Sequence, residues 1–191
     1  ARNFSFSKAT CEYVLWMEAV DVVTPENGER LQKLRGRLEK ENQDTVMCRY
    51  DVAFDVDGRT TFSYIRERIM RREGCPPWQG CVHECIAPTG KIIFSHFSVR
   101  HGETPGKVRG RRNLDIYQRN VSKGARLDPR HMFYYGRELY SNRLYAEAEG
   151  VLKRAVEGEG WAVNKIEASK VLADCYLAQD REEDALNTLI G

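Results

Sequence analysis

Two carboxylates follow a short apolar run: Tyr13-Val14-Leu15-Trp16-Met17 stops at Glu18, and Asp21 comes after Ala19-Val20. Hard divalent cations take oxygen ligands, so acids at the mouth of a strand can hold one; solvated acids at a strand-to-loop transition are the competing reading. A second group is Trp78-Gln79-Gly80-Cys81-Val82-His83-Glu84. On a strand, His83 and Glu84 point to opposite faces, so one of them at most enters a given pocket. A carboxylate beside an aromatic wall acts as a general base when its pKa is raised; otherwise this is a polar strand edge. His101 ends an apolar stretch and reads as a metal ligand, a phosphate contact or a structural histidine.

Cys81, His83 and Cys85 alternate, with Cys75 nearby. Zinc accepts such ligands, but the spacing matches no knuckle or ribbon, and buried cysteine acting as a small hydrophobe accounts better for them. Arginine suits phosphate through its bidentate geometry, which singles out Arg66, Arg68, Arg71 and Arg72, then Arg100, Lys107, Arg109, Arg111 and Arg112. A solvated charged face is the alternative. The aromatic and basic interleaving of a nucleic-acid platform does not occur in the sequence, so no nucleic-acid partner is expected. His96 and His131 read as structural or surface residues.

These groups need elements that end near residues 18 and 101. Residues 13–17 read as a buried strand with the acids at its C-terminal end, where α/β sheets tend to bind ligands. Thr24-Pro25-Glu26 opens a helix with an N-cap, a proline at the first position and an acid in the first turn. Leu31, Leu34 and Leu38 make its apolar face. Residues 45–54 and 60–70 read as strands joined at Asp57-Gly58, a hairpin signal. Residues 80–86 and 91–101 read as a second hairpin turning at Pro88-Thr89-Gly90, so the sheet is expected to be mixed. The C-terminal part repeats itself: Leu139, Ala148 and Leu152 return as Tyr176, Ala185 and Leu189, a spacing of 37. The small residues in this pattern let paired helices approach closely.

The 191 residues suit one medium domain or two small ones. A net charge of +2 excludes a general polyanion binder while leaving room for local basic patches. No apolar run approaches the roughly 20 residues of a membrane helix, so no transmembrane segment is expected. The chain opens at Ala1 inside what reads as a helix over residues 4–9, and the expectation is that upstream sequence is missing. Six scattered cysteines and no export signal point to a cytoplasmic, reducing location. The organisation expected is an α+β part over residues 1–105, a basic helical connector over 106–128, and helices over 129–191.

The order of these pieces resembles glycosyltransferase family 2, of GT-A fold. Arg2-Asn3, then residues 7–21, resemble the helix and strand that lead to that family's metal-binding Asp-x-Asp motif. Trp78…Gly80-Cys81-Val82-His83-Glu84 resembles a Trp-x-Gly-x-Val-His-Glu segment of one branch. Asp128-Pro129-Arg130…Phe133-Tyr134-Tyr135…Arg137-Glu138-Leu139, followed by the repeat, is similar to the tetratricopeptide-like helices of that branch. The resemblance implies transfer of a sugar from a nucleotide-sugar donor to a peptide, protein or saccharide acceptor, with inversion.

The resemblance also implies residue roles. Glu84 would be the catalytic base. Asn3, Glu18, Arg109 and Arg112 would bind the donor. Asp21 and His101 would hold a divalent cation, manganese or magnesium. Glu18 stands at the motif's first Asp and Val20 at its second, with Asp21 next in the chain. The family's strands before Arg-Asn do not occur here, so the expectation is a partial domain that neither binds a nucleotide sugar tightly nor turns it over. A helical array that dimerises through its repeats, and a non-catalytic tetratricopeptide interaction module, are the further expectations.

Overall fold

The structure, a computed structural model, describes residues 1–102 and 110–190. It is an α+β protein that divides into two compact units. The first comprises Ala1–Gln79 with Cys85–Lys107, and the second Gly80–Glu84 with Val108–Gly191.

The first unit is built on a five-stranded mixed sheet, β1 (Tyr13–Leu15), β2 (Asp21–Val22), β3 (Thr45–Phe54), β4 (Thr60–Arg71) and β5 (Ile92–His101), in the order β1-β4-β3-β5-β2. Only β3 and β5 run parallel. β1 and β2, separated by only five residues of chain, therefore lie at opposite edges. The six peptide steps from Leu15 to Asp21 span at most about 20 Å, and four strand spacings come to about 19 Å. The sheet curls so that this short segment reaches across it.

Helix α1 (Arg2–Phe6) precedes the sheet, and α2 (Pro25–Glu41) packs on β5. Thr24 caps α2 by accepting the Asn27 N–H at 3.4 Å. Leu34 and Leu38 bury against Val46, Cys48, Tyr50, Ile69, Phe97 and Val99. A smaller cluster of Trp16, Met70, Trp78 and Ile86 lies under Phe6.

Three expectations are corrected. The strand over residues 13–17 is only three residues long, half-buried and at an edge. Residues 80–86 form no strand, and a single bridge joins Gln79 and Cys85. β5 consequently has no hairpin partner and pairs in parallel with β3 instead. The helix expected over residues 4–9 is α1, which begins at Arg2.

The second unit holds α3 (Arg112–Ser122), α4 (Pro129–Ser141), α5 (Tyr145–Glu157), α6 (Ala162–Leu177) and α7 (Glu182–Ile190). Each packs on a neighbour in sequence: α3 on α4, α4 on α5, α5 on α6 and α6 on α7. Gly136 permits a close approach of α4 to α5, because a Cβ there would stand 2.5 Å from the Leu152 side chain. Ala148, Ala155, Ala168, Ala173 and Ala185 are buried along the same packing surfaces, with Leu139 and Leu152. Val82, from Gly80–Glu84, joins this core. No helix of the described residues is long and apolar enough to cross a membrane.

Candidate functional site

The pairing of β2 with β5 sets Asp21 opposite His101. Their side chains meet, with His101 Nδ1 3.0 Å from Asp21 Oδ1. Gly102 allows this register. Its N–H donates to the Val20 carbonyl at 2.9 Å, and a Cβ on it would stand 2.4 Å from that oxygen.

Asp21 is surrounded by donors. Oδ1 accepts from Tyr50 O–H at 2.7 Å, in addition to His101. Oδ2 accepts from the Glu18 N–H at 2.8 Å and from Arg68 Nη1 at 3.0 Å. The Asp21 and Arg68 side chains both have 0% exposure, whereas His101 keeps 39%. Burial alone would raise the Asp21 carboxyl. The hydrogen bonds from Glu18, His101 and Tyr50, with the charge of Arg68, outweigh it and hold the carboxyl below the usual aspartate value. Burial, then the neighbouring carboxylate, pushes the Tyr50 hydroxyl up, so it stays protonated and donates. Because the Tyr50 hydroxyl donates to Asp21, the pattern assigns a proton to His101 Nδ1, which stands 2.5 Å from the Tyr50 oxygen and 3.0 Å from Asp21 Oδ1.

Arg68 is the residue whose role sequence reasoning missed: among the basic residues it reads as a phosphate contact or as part of a solvated charged face, and it is neither exposed nor solvated. Val46 pairs with Ile69 and Met47 with Glu67, so Arg68 is the extra residue of a β-bulge. Bulges re-aim side chains. This one sends the guanidinium between the rings of Trp16, at 3.8 Å, and Tyr50, at 3.9 Å. Nη1 also donates to the Trp16 carbonyl at 3.1 Å. Nε and Nη2 are buried without a hydrogen-bond partner. Leaving such donors unpaired costs about 1–3 kcal/mol, and two desolvated cation–π contacts of about 2 kcal/mol each offset it.

Beside this network lies a cleft of about 440 Å³, lined by α1 and residues 14–19 with Trp78. The Arg2 guanidinium sits 4.6 Å from the Trp78 ring centroid and pairs with the Glu18 carboxylate. Asn3 spends its side-chain amide on the Trp78 backbone, donating at 3.1 Å and accepting at 2.8 Å. It thus fixes an aromatic wall of the cleft.

Glu84 belongs to the second unit and is half-buried. Arg112 is exposed at the start of α3. Arg109 lies outside the described residues. Among the described residues no group of three or more His, Cys, Asp or Glu is placed to hold a metal ion. Cys81 is exposed and off any strand, so the alternation behind a zinc site or a buried apolar role does not exist there.

A divalent cation does not fit Asp21 as it stands. All four acceptor positions of its carboxylate are taken by donors, and the adjacent Glu18 carboxylate is turned to Arg2.

In the second unit His83 meets Glu138, with Nε2 3.6 Å from Oε1. His83 has φ +52, a strained value for a non-glycine residue. It stacks on Tyr134 with centroids 4.3 Å apart, while Arg130 holds its carbonyl at 3.0 Å. Asn113 donates to the same Glu138 oxygen at 3.0 Å. Burial, which outweighs the pull of Glu138, lowers the His83 pKa. No family model matches the chain, and no curated protein matches it significantly.

Proposed function

We propose that this chain carries the donor-site portion of a family 2-like glycosyltransferase, which passes a sugar from a nucleotide-sugar donor to an acceptor with inversion. One observation carries the reading. The resemblance assigns Asp21 and His101, 80 positions apart, to one site, and the two side chains touch. In this reading Asp21 fixes His101 through Nδ1 and leaves its half-exposed Nε2 edge for the departing diphosphate. Arg2, paired with Glu18, lines the adjoining cleft, and the Trp16 and Trp78 walls take the apolar faces of a sugar or base. Glu84 as base rests on the resemblance alone.

Saturation-transfer NMR with a panel of nucleoside diphosphate sugars tests the reading, since it detects weak binding. Transfer from the sugar and base protons of at least one donor, lost in Arg2→Ala, is expected; no transfer from any donor contradicts it. In a form of the protein that transfers sugar, loss of transfer in Glu84→Gln with intact folding is the separate test of the base.

A GT-A sheet and a tetratricopeptide-like array are the corresponding proposals for the two units. Buried Gly136, Ala148, Ala173 and Ala185 support the second. Six free thiols support a reducing, cytoplasmic location. An interaction module is the second reading, favoured by exposed Trp161, Ile166, Leu189 and Ile190 on or beside α6 and α7. Concentration-dependent sedimentation that is lost in Ile166→Glu would support a homodimer through this face.

A further inference from the structure

We propose that Arg68 is a built-in cation: its guanidinium holds the side of Asp21 that a divalent ion would need, and Asp21 orients His101 in place of ligating metal. The hydrogen atoms facing the carboxylate come from an amide, a phenol, an imidazole and a guanidinium. A hard cation needs several oxygen ligands around it, yet the nearest elements present N–H and O–H groups to this carboxylate. Entry of an ion would displace Arg68, which has 0% exposure and lies between two rings at 3.8 and 3.9 Å. The guanidinium is charged at every physiological pH, so the neutralisation is permanent and insensitive to chelators. Taken with the transferase reading, on which this clause rests, the site binds its diphosphate donor without a divalent metal.

Electron paramagnetic resonance of manganese(II), titrated into the full chain, tests the proposal. The expected result is no stoichiometric loss of the free-ion signal at Asp21. Stoichiometric binding that disappears in Asp21→Asn overturns the proposal, whereas binding that survives Asp21→Asn puts the ion elsewhere and supports it. Arg68→Met frees Oδ2, and manganese affinity at Asp21 is expected to rise about tenfold or more, the worth of one charged contact. A folded Arg68→Met protein with no gain overturns the proposal. Where that variant does not fold, the wild-type titration alone decides. Nucleotide-sugar binding does not enter this readout, so a failure of the transferase reading leaves the result intact.

Discussion

His101 and His83 each face a carboxylate, and the two pairs are built in opposite ways. Asp21 is buried, accepts from four donors and is neutralised by a fixed guanidinium, so His101 is held in one orientation. Glu138 keeps 20% of its side-chain surface exposed and stands 3.6 Å from His83. His83 is positioned by other means: a strained backbone, a ring stacked on Tyr134 and a carbonyl tied to Arg130. In the first unit the carboxylate orders the histidine. In the second the backbone orders it, and the carboxylate only modulates its charge.

The largest expected effect falls on the first pair. Arg68→Met leaves Asp21 buried without its cation, and a loss of about 3–5 kcal/mol in urea unfolding is expected, as for other broken buried pairs. A loss below that of ordinary surface substitutions would make the network ornamental. Next comes Gly80→Ala, at the base of the His83 loop. Gly80 has φ +97, and a Cβ there would meet His131 Nε2 at 2.3 Å. A cost of about 1–3 kcal/mol is expected by thermal unfolding.

Acid separates the pairs further. The Asp21 pKa is depressed on folding, so its stabilisation is complete above the unfolded value of about 3.9 and is lost as pH falls through the lower folded value. His83 is also depressed, but for a histidine this means that the unfolded chain takes up the proton first. Its contribution is therefore lost as pH falls below about 6.5, down to the folded value. Stability measured against pH should lose the first window in Asp21→Asn and the second in His83→Asn. Asparagine also tolerates the positive φ. The smallest effect is expected for Glu138→Gln, below about 1 kcal/mol, because the pair is partly exposed and long.

Local signals made much of the sheet unit legible in the sequence. Alternation predicted β3, the Asp57-Gly58 turn signal predicted its partner β4, and the Thr24-Pro25-Glu26 cap placed the start of α2. The parallel β3–β5 pairing was not legible, because strand order is set by contacts between distant residues. Gly80–Glu84 alternates like a strand, but Gly80 and His83 both take positive φ, which a strand does not allow. Asp21 and His101 were each singled out by type and position, and the resemblance alone assigned them to one site. Arg68 was hidden because a bulge inserts one unpaired residue, which no hydrophobic period reveals. The nearest signal was its place in Arg66-Glu67-Arg68-Ile69, directly before the buried Ile69 and Met70.

The central claim is that Asp21 and Arg68 act as one neutral unit beneath His101. A double-mutant cycle of Asp21→Asn and Arg68→Met, read by urea unfolding, tests it most directly. The account predicts a double variant more stable than the sum of the single losses allows, with a coupling toward the upper end of about 0.5–3 kcal/mol. Losses that add to within about 0.5 kcal/mol would contradict it.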